Sequence, residues 1–218
     1  MKLILVRHGE TEANLQKIIQ GQQPGELSAE GRLQARLLGE RLRRERIDHF
    51  WASPLRRVVQ TAAAVIHHHL IDIIPMPELM ERHFGLLEGK GFEDYFLALE
   101  KSGLPFHLFR PPGGESLGDV EERLAYVVNR LHRIPQGETL VLAAHSVINK
   151  VLLRILLHKG IEEWDAIRQD NGCVNILHRN EKSGAMEAEL LNCTRHLQAR
   201  EAVPAAARGG NLSSKTAP

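Results

Sequence analysis

Two short apolar runs, residues 3–6 and 139–144, constrain the fold of this chain most strongly. Both are rich in β-prone residues, so each is predicted to form a buried strand. A histidine follows each run closely, His8 after the first and His145 after the second. If the two strands are parallel neighbours, both imidazoles lie at the sheet edge where open α/β sheets bind ligands. The alternative is two unrelated surface histidines among the 12 in the chain.

The rest of the chain alternates between helix and strand patterns. Helices are predicted over residues 28–46, 54–69, 92–101, 116–133, 147–157 and 161–167. Further strands are predicted over residues 49–52, 71–74, 173–177 and 186–191, the last two paired at a sheet edge. Ser28 and Ser116 are predicted N-caps, and Pro54 opens a helix where its missing N–H is harmless. The alternation predicts an α/β fold, a three-layer sandwich with a mainly parallel central sheet and helices on both faces.

The composition excludes several classes of protein. A length of 218 residues, a net charge of +1 and 43% hydrophobic residues predict one globular domain over residues 1–196. Residues 197–218 are rich in small residues and are predicted to be a flexible tail. The chain has no basic tract of the kind that would predict nucleic-acid binding. It also has no apolar stretch that approaches the ~20 residues of a membrane span. Cys173 and Cys193 have no metal-type spacing and form no disulfide framework, so a reduced, cytoplasmic protein is expected.

Arg7, His8 and Gly9 place a cation, an imidazole and a flexible residue just after the first predicted strand. A guanidinium offers a rigid fork of donors and a neutral imidazole is a nucleophile, so the pair suits attack on a phosphate. The alternative is a turn at the strand end with a surface arginine. Residues 75–114 are predicted to be largely irregular, which indicates the walls of a pocket.

Several separate motifs together resemble the histidine phosphatase superfamily. They are Arg7-His8-Gly9-Glu10-Thr11 with Asn14, Ser53-x-Leu55-x-Arg57 followed by Gln60-Thr61-Ala62, and the segment of residues 79–90. The resemblance extends over residues 2–196. It implies a phosphatase that hydrolyses small-molecule phosphomonoesters through a phosphohistidine intermediate.

The resemblance assigns catalytic roles to five residues: Arg7, His8, Arg57, Glu81 and His145. His8 attacks phosphorus, the two arginines and His145 hold the charged oxygens, and Glu81 protonates the leaving oxygen. No metal ion and no other cofactor is implied, because the arginines and His145 take the role that Mg²⁺ has elsewhere. The expected partner is a small phosphorylated metabolite, with no nucleic acid and no membrane, and a homodimer is left open.

Two of these roles compete with simpler interpretations. By the motif, Arg57 rather than Arg56 faces the phosphate, from the first turn of a predicted helix whose dipole attracts anions. The alternative is that both arginines are solvated surface charges. For Glu81, the alternative is an ordinary loop carboxylate paired with Arg82.

The resemblance also implies contacts to the phosphate or the substrate. These are expected from Thr11, Asn14, Gln20, Gly21, Arg82, Lys90 and Ser146. Ser146 stands where the family commonly has glycine, and Lys150 stands where it usually has arginine, so substrate preference is open. Some motifs look like those of sugar-bisphosphate phosphatases, whereas the end of the chain looks like phosphoserine and α-ribazole phosphatases.

Two other functions stay open. Phosphoglycerate mutases share the catalytic five, but they carry a tandem arginine pair after the donor segment, and this chain offers only Arg110. Hydrolysis is therefore predicted, with mutase activity as the alternative. A catalytically silent binding module on the same fold is the third interpretation, which the five filled catalytic positions disfavour.

Overall fold

The computed structural model describes residues 1–198, in which one mixed sheet carries helices on both faces. Its strands are β1 (Lys2–Arg7), β2 (His49–Ala52), β3 (Ile73–Pro75), β4 (Thr139–Ala144), β5 (Val174–Arg179) and β6 (Met186–Cys193). Their order across the sheet is β3-β2-β4-β1-β5-β6. The first four in that order are parallel to each other, and β5 and β6 join in antiparallel orientation. The predicted α/β fold with a mainly parallel sheet is confirmed.

Apart from the short α1, which was not predicted, the α-helices follow the predicted alternation. They are α1 (Glu12–Leu15), α2 (Ala29–Leu42), α3 (Arg56–Ile66), α4 (Phe92–Ser102), α5 (Leu117–Leu131) and α6 (Ser146–Leu156). Short 3₁₀ helices cover Pro77–Leu79, Gly85–Leu87, Ile161–Ala166 and Arg195–Gln198. No helix among these described residues is long and apolar enough to cross a membrane.

Strand β1 shows how the two cores hold the central strands rigidly. Its side chains alternate, so Leu3 and Leu5 join the apolar cluster beneath α5 and α6. Ile4 and Val6 join the cluster beneath α2 and α3. Each such side chain contributes about 1.5–3 kcal/mol through burial. The carboxyl ends of β1 and β4 are therefore firmly supported, and groups placed there are well fixed.

Helix starts are set by side-chain caps where the sequence predicted them. Ser28 Oγ accepts the Gly31 N–H at 3.0 Å at the start of α2. Ser116 Oγ accepts the Asp119 N–H at 3.3 Å, and the Asp119 carboxylate accepts the Ser116 N–H at 2.7 Å. Each cap satisfies backbone donors that the first helical turn leaves unpaired. Both predicted N-caps are confirmed.

Some boundaries differ from the predictions. Pro54 does not open α3, because Ser53 Oγ accepts the Leu55 N–H at 3.3 Å and makes a turn before the helix begins at Arg56. Helix α2 ends at Leu42, the last buried apolar side chain of its face, and not at residue 46. The helix predicted over residues 161–167 is a 3₁₀ helix. Most of the predicted tail lies outside the described residues.

Candidate active site

The two histidines lie side by side at the carboxyl ends of β1 and β4. Arg7 in β1 is paired with Ala144 in β4, so His8 and His145 leave the sheet at the same level. Their ring centroids are 5.2 Å apart, with the ring planes at 62°. Both imidazoles are buried. The predicted parallel pairing is confirmed, and the alternative of two unrelated surface histidines is wrong.

The surroundings of His8 keep its imidazole neutral and fix its tautomer. Nδ1 lies 2.7 Å from the Gly9 carbonyl oxygen. A carbonyl oxygen only accepts hydrogen bonds, so we assign the proton to Nδ1 and the lone pair to Nε2. Burial lowers the pKa of His8 well below 6.5, and the positive charges of Arg57 and Arg7 lower it further. A neutral imidazole with a free Nε2 lone pair is the nucleophilic form.

His145 is oriented by Ser53. Ser53 Oγ lies 2.8 Å from His145 Nε2. Because this hydroxyl already accepts the Leu55 N–H, it can donate its own proton to Nε2, which leaves the proton of His145 on Nδ1. Burial lowers the pKa of His145 well below 6.5, and the charge of Arg57 and then the neighbouring His8 lower it further. The ring is therefore a neutral N–H donor.

Arg57 and its neighbour Arg56 have opposite environments. Arg57 is 1% exposed. Its Nη2 donates to the Gly21 carbonyl at 2.7 Å and its Nη1 to the Gln23 carbonyl at 3.2 Å. Burial lowers the pKa of Arg57 to about 10, so it stays charged at neutral pH. Arg56 is exposed and pairs with Glu26 at 2.8 Å. The alternative that both arginines are solvated is wrong.

Arg7 is held from behind by a buried polar network. Its Nη1 donates to the Gln169 carbonyl at 2.5 Å. The Gln169 side chain is fixed in turn, because its Nε2 donates to Asn175 Oδ1 at 2.9 Å and its Oε1 accepts from Asn149 Nδ2 at 3.1 Å. Such a network restricts the guanidinium to one position. Burial lowers the pKa of Arg7 from its ordinary value.

Three donors beside His8 have no hydrogen-bond acceptor. Within residues 1–198, Arg7 Nε, Arg57 Nε and His145 Nδ1 are buried without a partner. Leaving buried donors unsatisfied costs about 1–3 kcal/mol each, more when they are charged. Phosphate oxygens are strong acceptors for such groups. The unsatisfied donors therefore favour an anion bound against His8.

Glu81 lies in the loop after the Pro77–Leu79 3₁₀ helix, and its carboxylate is held by main-chain groups, one of them at the start of α6. It is 8% exposed. Its Oε1 accepts the Arg82 N–H at 2.9 Å, and its Oε2 accepts the Val147 N–H at 3.3 Å. The Arg82 guanidinium points elsewhere, donating to the carbonyls of Glu115 and Phe109, both at 2.7 Å. The alternative of a Glu81–Arg82 ion pair is therefore wrong. Arg82, predicted to contact substrate, is 3% exposed and bound to these main-chain carbonyls.

Thr11, Asn14 and Gln20 form one group next to His8. Thr11 Oγ1 caps α1 by accepting the Asn14 N–H at 3.1 Å, and it donates to Gln20 Oε1 at 3.2 Å. Asn14 Oδ1 accepts from the Thr11 N–H and from Asn171 Nδ2, both at 3.1 Å. In the described part of the chain Asn14 Nδ2 donates to no protein group. Gln20 Nε2 likewise donates to no protein group within residues 1–198, so both side-chain amides are available to a ligand.

The remaining predicted contacts have different surroundings. Gly21 is buried, has φ +53°, and presents its carbonyl to Arg57. Ser146 is the half-buried first residue of α6. Lys90 is exposed, and its carbonyl accepts the Ile19 N–H at 2.8 Å. The structure thus brings Gly21 and Ser146 to elements that carry the site, and leaves the Lys90 side chain at the surface.

Sequence reasoning assigned no role to several residues that build the site. Thr61 Oγ1 accepts the Gly9 N–H at 3.1 Å and donates to the Arg57 carbonyl at 2.8 Å, which ties α3 to the His8 turn. Ser53, which orients His145, belongs to the same motif as Arg57. Because Ser53 and Thr61 belong to the same motif as Arg57, the motif itself could have indicated that they support the site. Gln22 and Glu88 lie in loops, and no local pattern identifies them.

Comparison with known proteins settles the family. The profile of the histidine phosphatase superfamily (branch 1) matches residues 3–193. This chain belongs to that superfamily. Phosphoserine phosphatase 1 of Hydrogenobacter thermophilus is 29% identical over 204 residues, 90% of this chain and 94% of the relative. "Probable phosphoglycerate mutase GpmB" of Salmonella choleraesuis is 32% identical over 170 residues, 75% of this chain and 77% of the relative.

A solved structure agrees with the fold of this histidine phosphatase. The α-ribazole phosphatase of Shigella flexneri superposes with a TM-score of 0.81 at 26% identity, over 88% of this chain and 96% of that one. The family and these relatives confirm the predicted class, a phosphatase. Among residues 1–198, no cluster of three or more His, Cys, Asp or Glu side chains is arranged to hold a metal ion.

The lowered histidine pKa values predict that this histidine phosphatase loses stability in weak acid. His8 and His145 are neutral in the folded state, whereas in the unfolded chain both have a pKa of about 6.5. Below about pH 6.5 the unfolded chain binds protons that the folded chain does not, so the free energy of unfolding falls as the pH falls. His196, with a pKa lowered to about 4 mainly by burial, acts in the same direction.

Thermal unfolding between about pH 7.5 and 5.5 measures this effect. We expect the melting temperature to fall with pH, and added sulfate to stabilise more strongly at the lower pH, because an anion between the imidazoles favours their protonated forms. The Arg57→Ala variant is the control for non-specific salt effects and should lack the pH-dependent part of the sulfate response. A melting temperature independent of pH below about 6.5 would contradict the prediction.

Proposed function

We propose that this phosphatase hydrolyses small-molecule phosphomonoesters through a covalent phosphohistidine on His8. The observation that supports it most strongly is a neutral His8 beside three buried, unsatisfied donors on Arg7, Arg57 and His145. Their charges and N–H groups match the equatorial oxygens of a phosphoryl group, where the charge of the transition state resides. Two guanidinium groups supply the positive charge, so the proposed reaction uses no metal ion.

The first half-reaction transfers the phosphoryl group to the enzyme. The Nε2 lone pair of His8 forms a bond to phosphorus while the bond from phosphorus to the leaving oxygen breaks. Glu81 in its protonated form gives its proton to that oxygen, which avoids release of a strongly basic alkoxide. The Nδ1–H bond to the Gly9 carbonyl keeps the imidazole aligned throughout.

The second half-reaction restores the enzyme. Glu81, now a carboxylate, takes a proton from a water molecule whose oxygen attacks phosphorus. The bond from phosphorus to His8 Nε2 breaks, and inorganic phosphate is released. His8 is again neutral and Glu81 is again protonated, so atoms and charges balance over the cycle.

Hydrolysis is favoured over phosphoglycerate mutase activity by the environment of Arg110. Its Nη2 contacts Asp119 Oδ1 at 2.5 Å, in an ion pair whose arginine side chain is 59% exposed. Arg110 is also single, where the resemblance to the mutases would require a tandem arginine pair to grip a second phosphate. Mutase activity is kept as the second candidate because the chain is 32% identical to a relative named as a probable mutase.

One assay distinguishes the two functions. The enzyme is incubated with 3-phosphoglycerate and a trace of 2,3-bisphosphoglycerate, and both phosphate release and isomerisation are measured. We expect phosphate release to dominate. Rapid isomerisation with little released phosphate would reverse the assignment. A panel of metabolite phosphates, with phosphoserine and α-ribazole phosphate included because relatives act on them by name, then ranks the substrates.

Glu81→Gln is expected to separate the two half-reactions. An alkyl phosphate needs a proton on its leaving oxygen, so its turnover should fall about 10²–10⁴-fold. The leaving phenolate of p-nitrophenyl phosphate needs none, so we expect a rapid burst followed by slow turnover, because the general base is also missing. Rapid quench and trapping of acid-labile phosphate measure the burst. The exposed Glu93→Gln is the control, and equal losses on both substrates without a burst would contradict the proposed role.

Location and assembly stay predictions. A cytoplasmic location agrees with two free cysteines, Cys173 and Cys193. Sedimentation of the purified protein would decide between a monomer and the homodimer left open by the sequence.

A further inference from the structure

Two segments close over the site and are hydrogen-bonded to each other. We call residues 18–23 the phosphate loop and residues 81–91 the donor segment. The Ile19 N–H donates to the Lys90 carbonyl and the Gly89 N–H donates to the Ile19 carbonyl, both at 2.8 Å. The phosphate loop carries the carbonyls that Arg57 binds, and the donor segment carries Glu81. The contacts between these segments therefore influence the position of Arg57 relative to Glu81, the proposed proton donor.

Glu88 lies at the junction of the two segments. Its Oε1 accepts the Gln22 N–H of the phosphate loop at 2.9 Å and the Phe84 N–H of the donor segment at 3.0 Å. The Glu88 side chain is 6% exposed, and the imidazole Nε2 of His83 lies 3.8 Å from its Oε1. A buried carboxylate accepting two main-chain N–H groups makes strong, charge-assisted hydrogen bonds.

The phosphate loop is shaped to receive this carboxylate. A Cβ atom on Gly21 would lie 2.0 Å from Glu88 Oε1, far inside van der Waals contact. Gly21 also has φ +53°, a backbone conformation that glycine adopts without strain. A side chain at position 21 would displace the Glu88 carboxylate, so the present contact between this loop and Glu88 depends on glycine.

From Glu88, one further contact leads to each catalytic group. The Arg57 Nη2 atom donates to the carbonyl of Gly21, the residue in contact with the Glu88 carboxylate. Gln22, whose main-chain N–H binds Glu88, uses its side-chain Nε2 to donate to the Glu81 carbonyl at 2.9 Å. Arg57 and Glu81 are thus linked through the loop that Glu88 holds.

We propose that Glu88 is a positioning residue, which holds the phosphate loop against the donor segment and so sets the placement of Glu81 relative to the phosphate bound by Arg57. This inference rests on the proposed function. In the proposed mechanism Glu88 does not touch the reacting atoms. The nucleophile and its neighbours Arg7 and His145 stand on the sheet edge and depend little on Glu88, so binding of the phosphate should depend on it less than proton transfer does.

The test compares Glu88→Ala with Glu88→Gln. Displacement of a catalytic group by about 1 Å can reduce a rate 10²-fold, so we expect Glu88→Ala to lower kcat for an alkyl phosphate about 10–100-fold. KM and the burst with p-nitrophenyl phosphate should change less than about threefold, because neither needs the proton donor. Glu88→Gln keeps an acceptor oxygen of the same reach and should recover most of the alkyl phosphate activity.

Two further variants separate positioning from general stability. Asp48 also uses a carboxylate to hold a main-chain N–H, that of Thr139 at 2.9 Å, at the opposite end of the sheet. Asp48→Ala should lower the melting temperature while kcat is kept. Gln22→Ala removes the link to Glu81 without altering Glu88, and should reproduce the selective loss on the alkyl phosphate even if Glu88→Ala fails to fold.

The outcomes distinguish this inference from the proposed function. A wild-type enzyme that hydrolyses no phosphomonoester would defeat the proposed function itself. An active wild type with unchanged kcat in Glu88→Ala and Gln22→Ala would overturn the role of Glu88 alone. Equal losses on alkyl and aryl phosphates, or a rise in KM without loss of kcat, would also overturn it.

Discussion

His8→Ala is expected to abolish phosphomonoester turnover while the protein stays folded. The substitution removes His8 Nε2, the proposed acceptor of the phosphoryl group, and the neighbouring His145 is not free to replace it because its Nε2 is held by Ser53. Removing the nucleophile of a catalytic unit lowers kcat by about 10⁴-fold or more. The loss should be equally severe for alkyl and aryl phosphates, since both must pass through the phosphohistidine.

The stability cost of His8→Ala should be limited. The substitution leaves the Gly9 carbonyl without its side-chain donor and opens a small cavity, at a cost of about 1–3 kcal/mol. Typical domains have about 5–15 kcal/mol available, so the fold should survive. Circular dichroism and thermal unfolding check the fold, and trapping of acid-labile labelled phosphate checks the covalent step.

The matched control for His8→Ala is His178→Ala. His178 is an exposed histidine on β5 that pairs with Glu189, far along its strand from the site. It should keep full activity and incorporate label. Label on the His8→Ala variant, or a collapse of its melting temperature, would show that His8 is structural and not the nucleophile.

Arg57→Ala is expected to reduce kcat/KM about 10³–10⁵-fold, the range seen when an arginine that stabilises a phosphoryl transition state is lost. Two effects add in this variant. One positive charge beside His8 is removed, and the carbonyls of Gly21 and Gln23 lose the donors that hold the phosphate loop. Arg57→Lys restores charge without the planar fork of donors, so it should recover only part of the loss.

Arg56→Ala provides a neighbouring control for this prediction. Arg56 precedes Arg57 in the chain but is exposed and pairs with Glu26, and exposed ion pairs contribute about 0–1 kcal/mol. Its removal should leave kcat and KM within about twofold of wild type. Steady-state kinetics on one alkyl phosphate compare the three variants. Similar losses in Arg56→Ala and Arg57→Ala would contradict the assignment of the phosphate contact to Arg57.

Much of the fold follows from local patterns. The apolar runs that became β1 and β4 are recognisable because strands covered on both faces need apolar side chains throughout. The N-caps at Ser28 and Ser116 are readable because a cap bonds to a main-chain group only three residues away. The predicted start of α3 at Pro54 was wrong because the Ser53 hydroxyl makes a turn there. The predicted end of α2 was wrong because the helix stops at the last residue of its buried face.

The site was only partly predictable, because motifs record neighbours in sequence and not contacts between distant segments. Arg7, His8, Arg57 and His145 stand at strand ends or in a first helical turn, positions that sequence motifs record. The hydrogen bonds of Arg82 could not be predicted because its acceptors, the carbonyls of Glu115 and Phe109, are 33 and 27 residues away in sequence. Glu88 was missed because its partner Gln22 is 66 residues away.

The sequence by itself determined the family and most of the order of strands and helices, and it supplied the residues proposed to move a phosphoryl group, because these depend on short-range periodicity and on motifs. Only the tertiary structure decided which nitrogen of His8 is free, that Arg57 is buried and Arg56 is not, and that loops far apart in sequence meet at Glu88. Those properties arise from burial and from hydrogen bonds between distant segments, which exist only once the chain has folded.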